Sequence, residues 1–408
     1  MKVSLITLGC KVSQYDSAQL ERMILGRGGE VVPPSPHSEA FLICGCAVTD
    51  KAVKEAKQVS RRLRRLNPRA PVILYGCIGE LAHRFGEENA FPPRDKEGVL
   101  LKLGLKGKAE DALPSWHRTR GVVKVQDGCD RFCSFCIVPH LRGKPQSRKL
   151  EEVIKEVEEL SRAGFKEVVL TGVHLSSYGK DLHESLDIFS LLEALEKIPG
   201  IERIRLSSME PVDLDREKII QLGRISKLCP HFHLPLQSGS DRILKSMNRG
   251  YTLYHYLSLV DACRSTWPDP AITTDIMVGF PGETEEDFQL TLKALETVGF
   301  ARIHAFRYSP RPFTLAENFP DQVEDKVKKE RMVRLRLLAS KLSLAYQEKF
   351  LGKVLPVLLE ELSSPNEGEG YTPNYIRVKV QSEEPLACNT IVPVRIYSIT
   401  DICLGETI

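Results

Sequence analysis

At 408 residues the chain exceeds what one hydrophobic core usually supports, so two or three domains are expected, and 42% apolar residues are enough to fill them. The net charge of +3 decides nothing about nucleic acid, no run approaches the roughly 20 apolar residues of a membrane span, and the opening MKVSLITLGC lacks an h-region and a cleavage site. The chain therefore reads as a folded cytoplasmic protein with no membrane partner, and its 11 cysteines, too many for packing and too scattered for a secreted disulfide framework, point to metal ligation.

Over the first hundred residues short apolar runs alternate with amphipathic stretches: KVSLITLG then SAQLERMILGRGG, EAFLIC then DKAVKEAKQVSRRLRRL, PVILYG then a weaker segment. This rhythm predicts an α/β domain on a parallel sheet over residues 1–117. From Gly121 six further runs follow, VVKVQD, EVVLTGV, ERIRLSS, FHLPLQ, AITTDIMVGF and RIHAFRYS, each linked through helix-like sequence. They predict an open or closed α/β barrel over 118–345 whose working end is the C-terminal end of its strands. After a charged helix the period shortens to VLPVLLEEL, YIRVKV and TIVPVRIYSI between turn residues, which predicts a small all-β barrel over 346–408.

Charge is placed unevenly along these elements. Residues 51–69 hold eight bases against Glu55, and residues 326–341 hold seven against Glu330, so either helix could track a phosphate backbone or present an ordinary solvated face. The C-terminal segment 346–408 holds five bases against nine acids, which shifts phosphate contacts toward the two helices.

Cys129, Cys133 and Cys136 form a CX3CX2C cluster just after the first barrel strand. Three thiolates at this spacing can hold one iron-sulfur cubane and leave its fourth iron without a protein ligand. A zinc site completed by His140, or plain core cysteines, are the alternatives. A second set emerges from position: Cys10, Cys46 and Cys77 each follow one of the three N-terminal apolar runs, about one βα unit apart, and should converge at one sheet edge. They form either a second cubane site or three structural cysteines. Cys229, Cys263, Cys388 and Cys403 read as structural.

Taken in order, LGCKVSQYDS, CAVT, YGC and CDRFCSFCIVPHLRGKPQSR, then TGVHLSSYG, LPLQSGSDRILKSMNRGY, DIMVGFPGETEEDF and GYTPNYIRV, resemble the radical S-adenosylmethionine methylthiotransferases over nearly the whole chain. The resemblance implies an N-terminal methylthiotransferase domain, a radical-SAM partial (β/α)6 barrel and a C-terminal TRAM barrel. It implies two 4Fe-4S clusters, one on Cys10, Cys46 and Cys77 that handles the sulfur, the other on Cys129, Cys133 and Cys136 that cleaves S-adenosyl-L-methionine to a 5'-deoxyadenosyl radical. Cofactor contacts carried over from the motifs are Arg142, Gly172, Gln237, Ser238, Arg249 and Asp275, with Phe132 and Phe135 either flanking adenine or packing the loop. No catalytic residue beyond the cluster ligands is implied.

LGCKV-x-QYDS and GYTPNYIRV are most similar to the branch that converts N6-threonylcarbamoyladenosine at tRNA position 37 to its 2-methylthio derivative. Action on isopentenyladenosine tRNA or a ribosomal-protein aspartate is the alternative within the chemistry, and a non-catalytic iron-sulfur RNA-binding or redox-sensing protein is the alternative outside it. The implied partners are the tRNA anticodon stem-loop and an electron donor such as flavodoxin or ferredoxin. Where the family has Asn-Thr before its second cysteine this chain has Cys44-Gly45, so Cys44 competes with Cys46 as a ligand, and CAVT sets the register in favour of Cys46.

Overall fold

The computed structural model describes residues 1–107, 119–182, 186–400 and 402–408. The expected domain boundary between 117 and 118 lies outside the described residues. Two compact units emerge: one comprises the described residues of Met1–His117 with Asp127–Pro145 and Ser309–Asn318, the other those of Arg118–Gln126, Gln146–Tyr308 and Phe319–Ile408.

In the first unit the chain runs β1 (Lys2–Leu8), α1 (Lys11–Gly26), β2 (Glu30–Val31), β3 (Ala40–Gly45), α2 (Asp50–Leu66), β4 (Val72–Gly76), α3 (Cys77–Arg84), β5 (Ala90–Phe91) and α4 (Lys96–Lys102). The strands form one parallel sheet ordered β2-β1-β3-β4-β5. Both faces are covered, which is why β3 reads as the continuous apolar run AFLIC. Leu42 and Cys44 pack with Leu20 and Ile24 of α1 on one face, while Phe41 and Ile43 pack with Leu63 of α2 on the other. The expected β1, β3 and β4 are present; β2 and β5 are two-residue edge strands that no apolar run announces.

The chain continues through β6 (Arg120–Lys124), β7 (Gln126–Asp127), α5 (Val138–Arg142), β8 (Gln146–Ser147), α6 (Leu150–Arg162), β9 (Glu167–Thr171), α7 (Ile188–Glu196), β10 (Arg203–Leu206), α8 (Arg216–Leu222) and β11 (His231–His233). There follow α9 (Asp241–Ser246), α10 (Leu253–Thr266), β12 (Ala271–Val278), α11 (Glu285–Val298), β13 (Arg302–Arg307) and α12 (Asp325–Glu348). In the second unit β10-β9-β6 and β11-β12-β13 form two parallel three-stranded sheets, and single parallel bridges Ile204↔Leu228 and Ser208↔His233 link them. Spatial order thus follows chain order through six strands, the expected partial (β/α)6 barrel.

The second unit ends in a closed five-stranded barrel of β14 (Val354–Ser364), β15 (Glu367–Tyr371), β16 (Arg377–Gln381), β17 (Ile391–Ile399) and β18 (Cys403–Thr407), ordered β14-β15-β16-β18-β17. Three of these strands were expected. The sequences of β15 and β18, EGEGY and CLGET, are poor in apolar residues because their glycines admit neighbouring chains closely: a Cβ on Gly370 would lie 2.0 Å from the Leu358 carbonyl oxygen, and one on Gly405 2.3 Å from Val394 Cγ1.

The GYTPNYIRV segment joins this barrel to the (β/α)6 strands. Fully buried Arg205 grips Glu167 (Nε to Oε1 2.7 Å, Nη2 to Oε2 3.2 Å) and donates to the carbonyls of Pro373 and Thr372. Arg203 donates to the carbonyls of Tyr371 and Pro356, and Tyr375 stacks between Tyr371 and His231. Among the described residues no helix is long and apolar enough to cross a membrane.

Candidate active site

Three strands of the first unit end level. Leu8, Gly45 and Gly76 are register partners across β1, β3 and β4, so Cys46 and Cys77 come one residue past that line and Cys10 two residues past it. A parallel sheet binds ligands at this edge. Gly9 makes the convergence sterically open: at φ +142° a Cβ would meet Cys46 Cβ and Ser13 Oγ, each at 3.0 Å. Cys10 caps α1, Cys77 opens α3 behind Gly76 at φ +87°, and the Val48 N–H donates to Cys46 Sγ at 3.4 Å.

The three thiols act on one another. Burial, then the neighbouring Cys77 and Cys10, push the Cys46 thiol up to about 12; burial also pushes Cys77 up, against the pull of Arg142. Three mutually repelling sulfurs at one edge fit a cationic iron centre, which would relieve both penalties. Cys44 sits one register step earlier, opposite Thr7 and Tyr75, and is buried in the sheet core away from the strand ends. Its thiol is likewise pushed up to about 12, by burial above all.

Arg142 closes this edge. Only 4% exposed, it donates through Nε to Cys77 Sγ at 3.1 Å, through Nη1 to both Asp127 oxygens at 2.9 Å and through Nη2 to Asp16 Oδ2 at 3.1 Å. Burial acts to lower its pKa, and Cys77, Asp127 and Asp16 raise it well above the usual value. A residue expected to touch the cofactor is thus held among the N-terminal thiols. Arg311, which sequence reasoning missed, is also buried here; Cys46 and Asp50 act on it, and its Nε is an orphaned donor.

Cys129, Cys133 and Cys136 lie on the loop before α5, all half-buried. Gly128 at φ +78° starts the loop where a Cβ would strike the Lys144 carbonyl oxygen at 2.1 Å. Backbone bonds Cys129 N–H to Gly143 O (3.0 Å) and Cys136 N–H to Cys133 O (2.9 Å) then curl it. The segment 309–318 seals the loop through Ala316 N–H to Ser134 O at 2.8 Å, and its Ser309 Oγ accepts from Asp50 N–H at 3.4 Å. Three half-buried thiols on one loop are the donor set that a cubane takes.

In the second unit the remaining expected contacts divide. Gln237, four residues past β11, holds φ +66°; its N–H donates to Asp275 O (2.8 Å), its carbonyl accepts from Met277 N–H (3.0 Å), and its buried Oε1 is an orphaned acceptor. Strain plus an orphaned polar atom at a strand end fits a polar ligand. Asp275 faces His233 Nε2 at 3.3 Å and is partly open. Gly172 allows Gln126 to approach, since a Cβ would lie 3.0 Å from Gln126 Oε1. Ser238 Oγ is buried against Thr291 Oγ1 (3.3 Å) and Ser240 N–H (3.2 Å), and Arg249 pairs with Glu210 at 2.6 Å. His174 Nε2 lies 2.6 Å from Asp213 Oδ2.

The two basic helices differ sharply. On α2, Lys51, Lys54, Lys57, Arg61, Arg62, Arg64 and Arg65 are all exposed around a thin buried seam of Val53, Ala56 and Leu63. On α12, Lys328 and Arg331 are buried, Arg331 pairs with Glu283 (2.8 Å), Arg334 with Glu285 (2.8 Å) and Lys329 with Asp325 (3.0 Å). Lys326, Lys329, Arg336 and Lys341 of α12 are exposed. On the terminal barrel a depression of about 990 Å³ is lined by residues that include Glu367, Glu383, Glu384 and Glu406. Of the cysteines read as structural, Cys229, Cys263 and Cys403 are buried and Cys388 is exposed.

Residues 123–295 match the Radical SAM superfamily and residues 2–90 the family described as uncharacterized protein family UPF0004. The chain is 38% identical to threonylcarbamoyladenosine tRNA methylthiotransferase MtaB of Thermotoga maritima, across 92% of this chain and 90% of that one. It is 39% identical to tRNA-2-methylthio-N(6)-dimethylallyladenosine synthase of Thermoanaerobacter sp. (strain X514), across 88% and 82%. It is 37% identical to the MtaB of Aquifex aeolicus, across 93% and 96%. A solved radical S-adenosylmethionine methyltransferase, TsrM from Kitasatospora setae, shares the fold with a TM-score of 0.55 at 16% identity over 77% of both chains. The chain belongs to the radical S-adenosylmethionine tRNA methylthiotransferases, enzymes that use S-adenosylmethionine and iron-sulfur clusters.

Proposed function

We propose that this enzyme places a methylthio group on C2 of N6-threonylcarbamoyladenosine at position 37, in the anticodon stem-loop of cytoplasmic tRNA, drawing electrons from a flavodoxin or ferredoxin. The observation that carries the reading is the level ending of β1, β3 and β4, which gathers Cys10, Cys46 and Cys77 in the same compact unit as the CX3CX2C loop. In this reading Cys10, Cys46 and Cys77 hold one 4Fe-4S cluster, and Cys129, Cys133 and Cys136 hold the other. When bound, the second cluster and S-adenosylmethionine supply the radical needed to break a strong, unactivated C2–H bond.

The protein's own groups orient and shield. Arg142, anchored by Asp16 and Asp127, directs an N–H onto Cys77 and so fixes that sulfur's rotamer. In the second unit, Gln237 offers an orphaned acceptor and Asp275 a partly open carboxylate at the strand ends. The threonylcarbamoyl branch is favoured by the LGCKV-x-QYDS and GYTPNYIRV motifs, while relatives of both names match the chain at 35–39% identity.

Incubating the reconstituted chain with S-adenosylmethionine, reductant and each of two tRNAs separates these substrates. Nucleoside mass spectrometry should show methylthiolation of threonylcarbamoyladenosine and none of isopentenyladenosine; the reverse would move the chain to the other branch. Helix α2 gives a second expectation. Changing Arg61, Arg62 and Arg65 to glutamine should flatten the dependence of log affinity on log salt by about 0.7–0.9 for each phosphate no longer neutralised. Changing the paired Lys329 and Arg334 on α12 should leave that slope nearly unchanged.

A further inference from the structure

The surface of the first unit carries a strip of aromatic rings that the cysteine sets do not require. Phe85 is 70% exposed, Phe132 52% and Phe313 46%. Rings left together in water mark an interaction surface. Phe85 and Phe313 are stacked, with centroids 6.4 Å apart and planes 20° apart. His140 lies 6.2 Å from Phe313 and 5.7 Å from Phe132, and the Arg84 guanidinium sits 5.4 Å from the Phe313 ring. No link in the strip exceeds 6.4 Å, although its members come from the end of α3, the cysteine loop, α5 and the 309–318 segment.

Two of the rings stand on strained backbone: Phe132 has φ +44° and Phe313 φ +71°. Bulky residues are outliers in this region, and such strain persists where function holds it. The segment that bears Phe313 also touches the cysteine loop at Ser134 and the start of α2 at Asp50. The strip is therefore tied to both the proposed reaction centre and the exposed basic helix. Burial and then Arg84 lower the pKa of His140, which keeps its ring neutral and able to stack near neutral pH.

We propose that Phe85, Phe313, His140 and Phe132 form a stacking platform for roughly two or three unpaired nucleobases of the anticodon loop beside the adenosine being modified. This rests on the tRNA reading above and adds the part of the loop that is gripped. Every base presents a π-face, so rings interleaved with Arg84 hold a loop without demanding its sequence, while α2 supplies the phosphate contacts. A lipid or protein partner would not require the conjunction of stacked faces, an interleaved guanidinium and a neighbouring helix with seven exposed bases.

The test uses the full reconstituted chain and an anticodon stem-loop RNA with 2-aminopurine next to position 37. Wild type should quench the probe on binding. The Phe85→Leu/Phe313→Leu double variant, which keeps apolar bulk and loses the π-faces, should lose the quench and bind about 5- to 30-fold more weakly. Tyrosine at both positions should restore both signals, and a blunt RNA duplex should bind wild type and variant alike; iron content and circular dichroism report folding. Equal quench and affinity in wild type and the leucine variant would overturn the platform and leave the tRNA reading standing, as would equal losses on loop and duplex. A wild-type chain that binds no stem-loop RNA would contradict the tRNA reading itself.

Discussion

Replacing Cys10, Cys46 and Cys77 together by alanine is expected to give a folded chain with about four iron atoms in place of about eight. It should still cleave S-adenosylmethionine to 5'-deoxyadenosine on reduction and should make no methylthio nucleoside. Folding survives because little packing is lost: Cys10 is exposed and Cys46 half-buried, and only Cys77 belongs to an apolar cluster, where losing one sulfur costs about 1 kcal/mol. Cleavage survives because the CX3CX2C loop is shaped by its own backbone bonds to Gly143 and Cys133. The converse variant, alanine at Cys129, Cys133 and Cys136, should retain about four irons and lose cleavage. Eight irons in the first variant would show that the strand-end thiols hold no cluster.

The second large effect concerns the joint between the (β/α)6 strands and the terminal barrel. Arg205→Met should destabilise the second unit by about 3–5 kcal/mol, read as a lower urea midpoint, because it strands a wholly buried Glu167 carboxylate and the carbonyls of Thr372 and Pro373. Burial acts to raise the Glu167 pKa, and Arg205 with Arg120 and Arg203 overcomes it, holding the carboxyl below its usual value. The sign follows from linkage: a carboxylate depressed on folding adds stability that is present above its unfolded pKa, about 4.3, and lost as pH falls below it. The double variant Arg205→Met/Glu167→Met should recover only part of the loss, since it removes the stranded carboxylate but leaves the carbonyls of Thr372 and Pro373 without Arg205 and Arg203 without Glu167. Equal urea midpoints for wild type and the single variant would remove the joint from the account.

The parts that could be read in sequence are those whose signal is local or periodic. The runs ITL, FLIC and VILYG announce β1, β3 and β4 because parallel strands buried on both faces are apolar throughout, and once three runs are adjacent in a sheet their terminal cysteines must meet. The (β/α)6 order was legible for the same reason. Strands β15 and β18 were not, because glycines packed against Leu358 and Val394 replace the apolar pattern. Charge was half legible. A count of bases treats α2 and α12 alike, and only the fold reveals that Lys328 and Arg331 of α12 are buried, with Arg331 paired to Glu283 and Arg334 to Glu285. The partners of Arg142, Asp16 and Cys77, were not legible, since they are distant from it in the chain. Phe85 and Phe313 carried no signal at all, as isolated aromatics more than 200 residues apart in sequence.

The measurement that bears most directly on the central claim is nucleoside mass spectrometry after the reconstituted chain, reductant and threonylcarbamoyladenosine tRNA are incubated with S-adenosylmethionine carrying a trideuterated methyl group. The account predicts a methylthio nucleoside bearing the deuterated methyl, absent from the Cys10, Cys46 and Cys77 variant. An unlabelled or unmodified nucleoside, formed while 5'-deoxyadenosine accumulates and both clusters are intact, would contradict it.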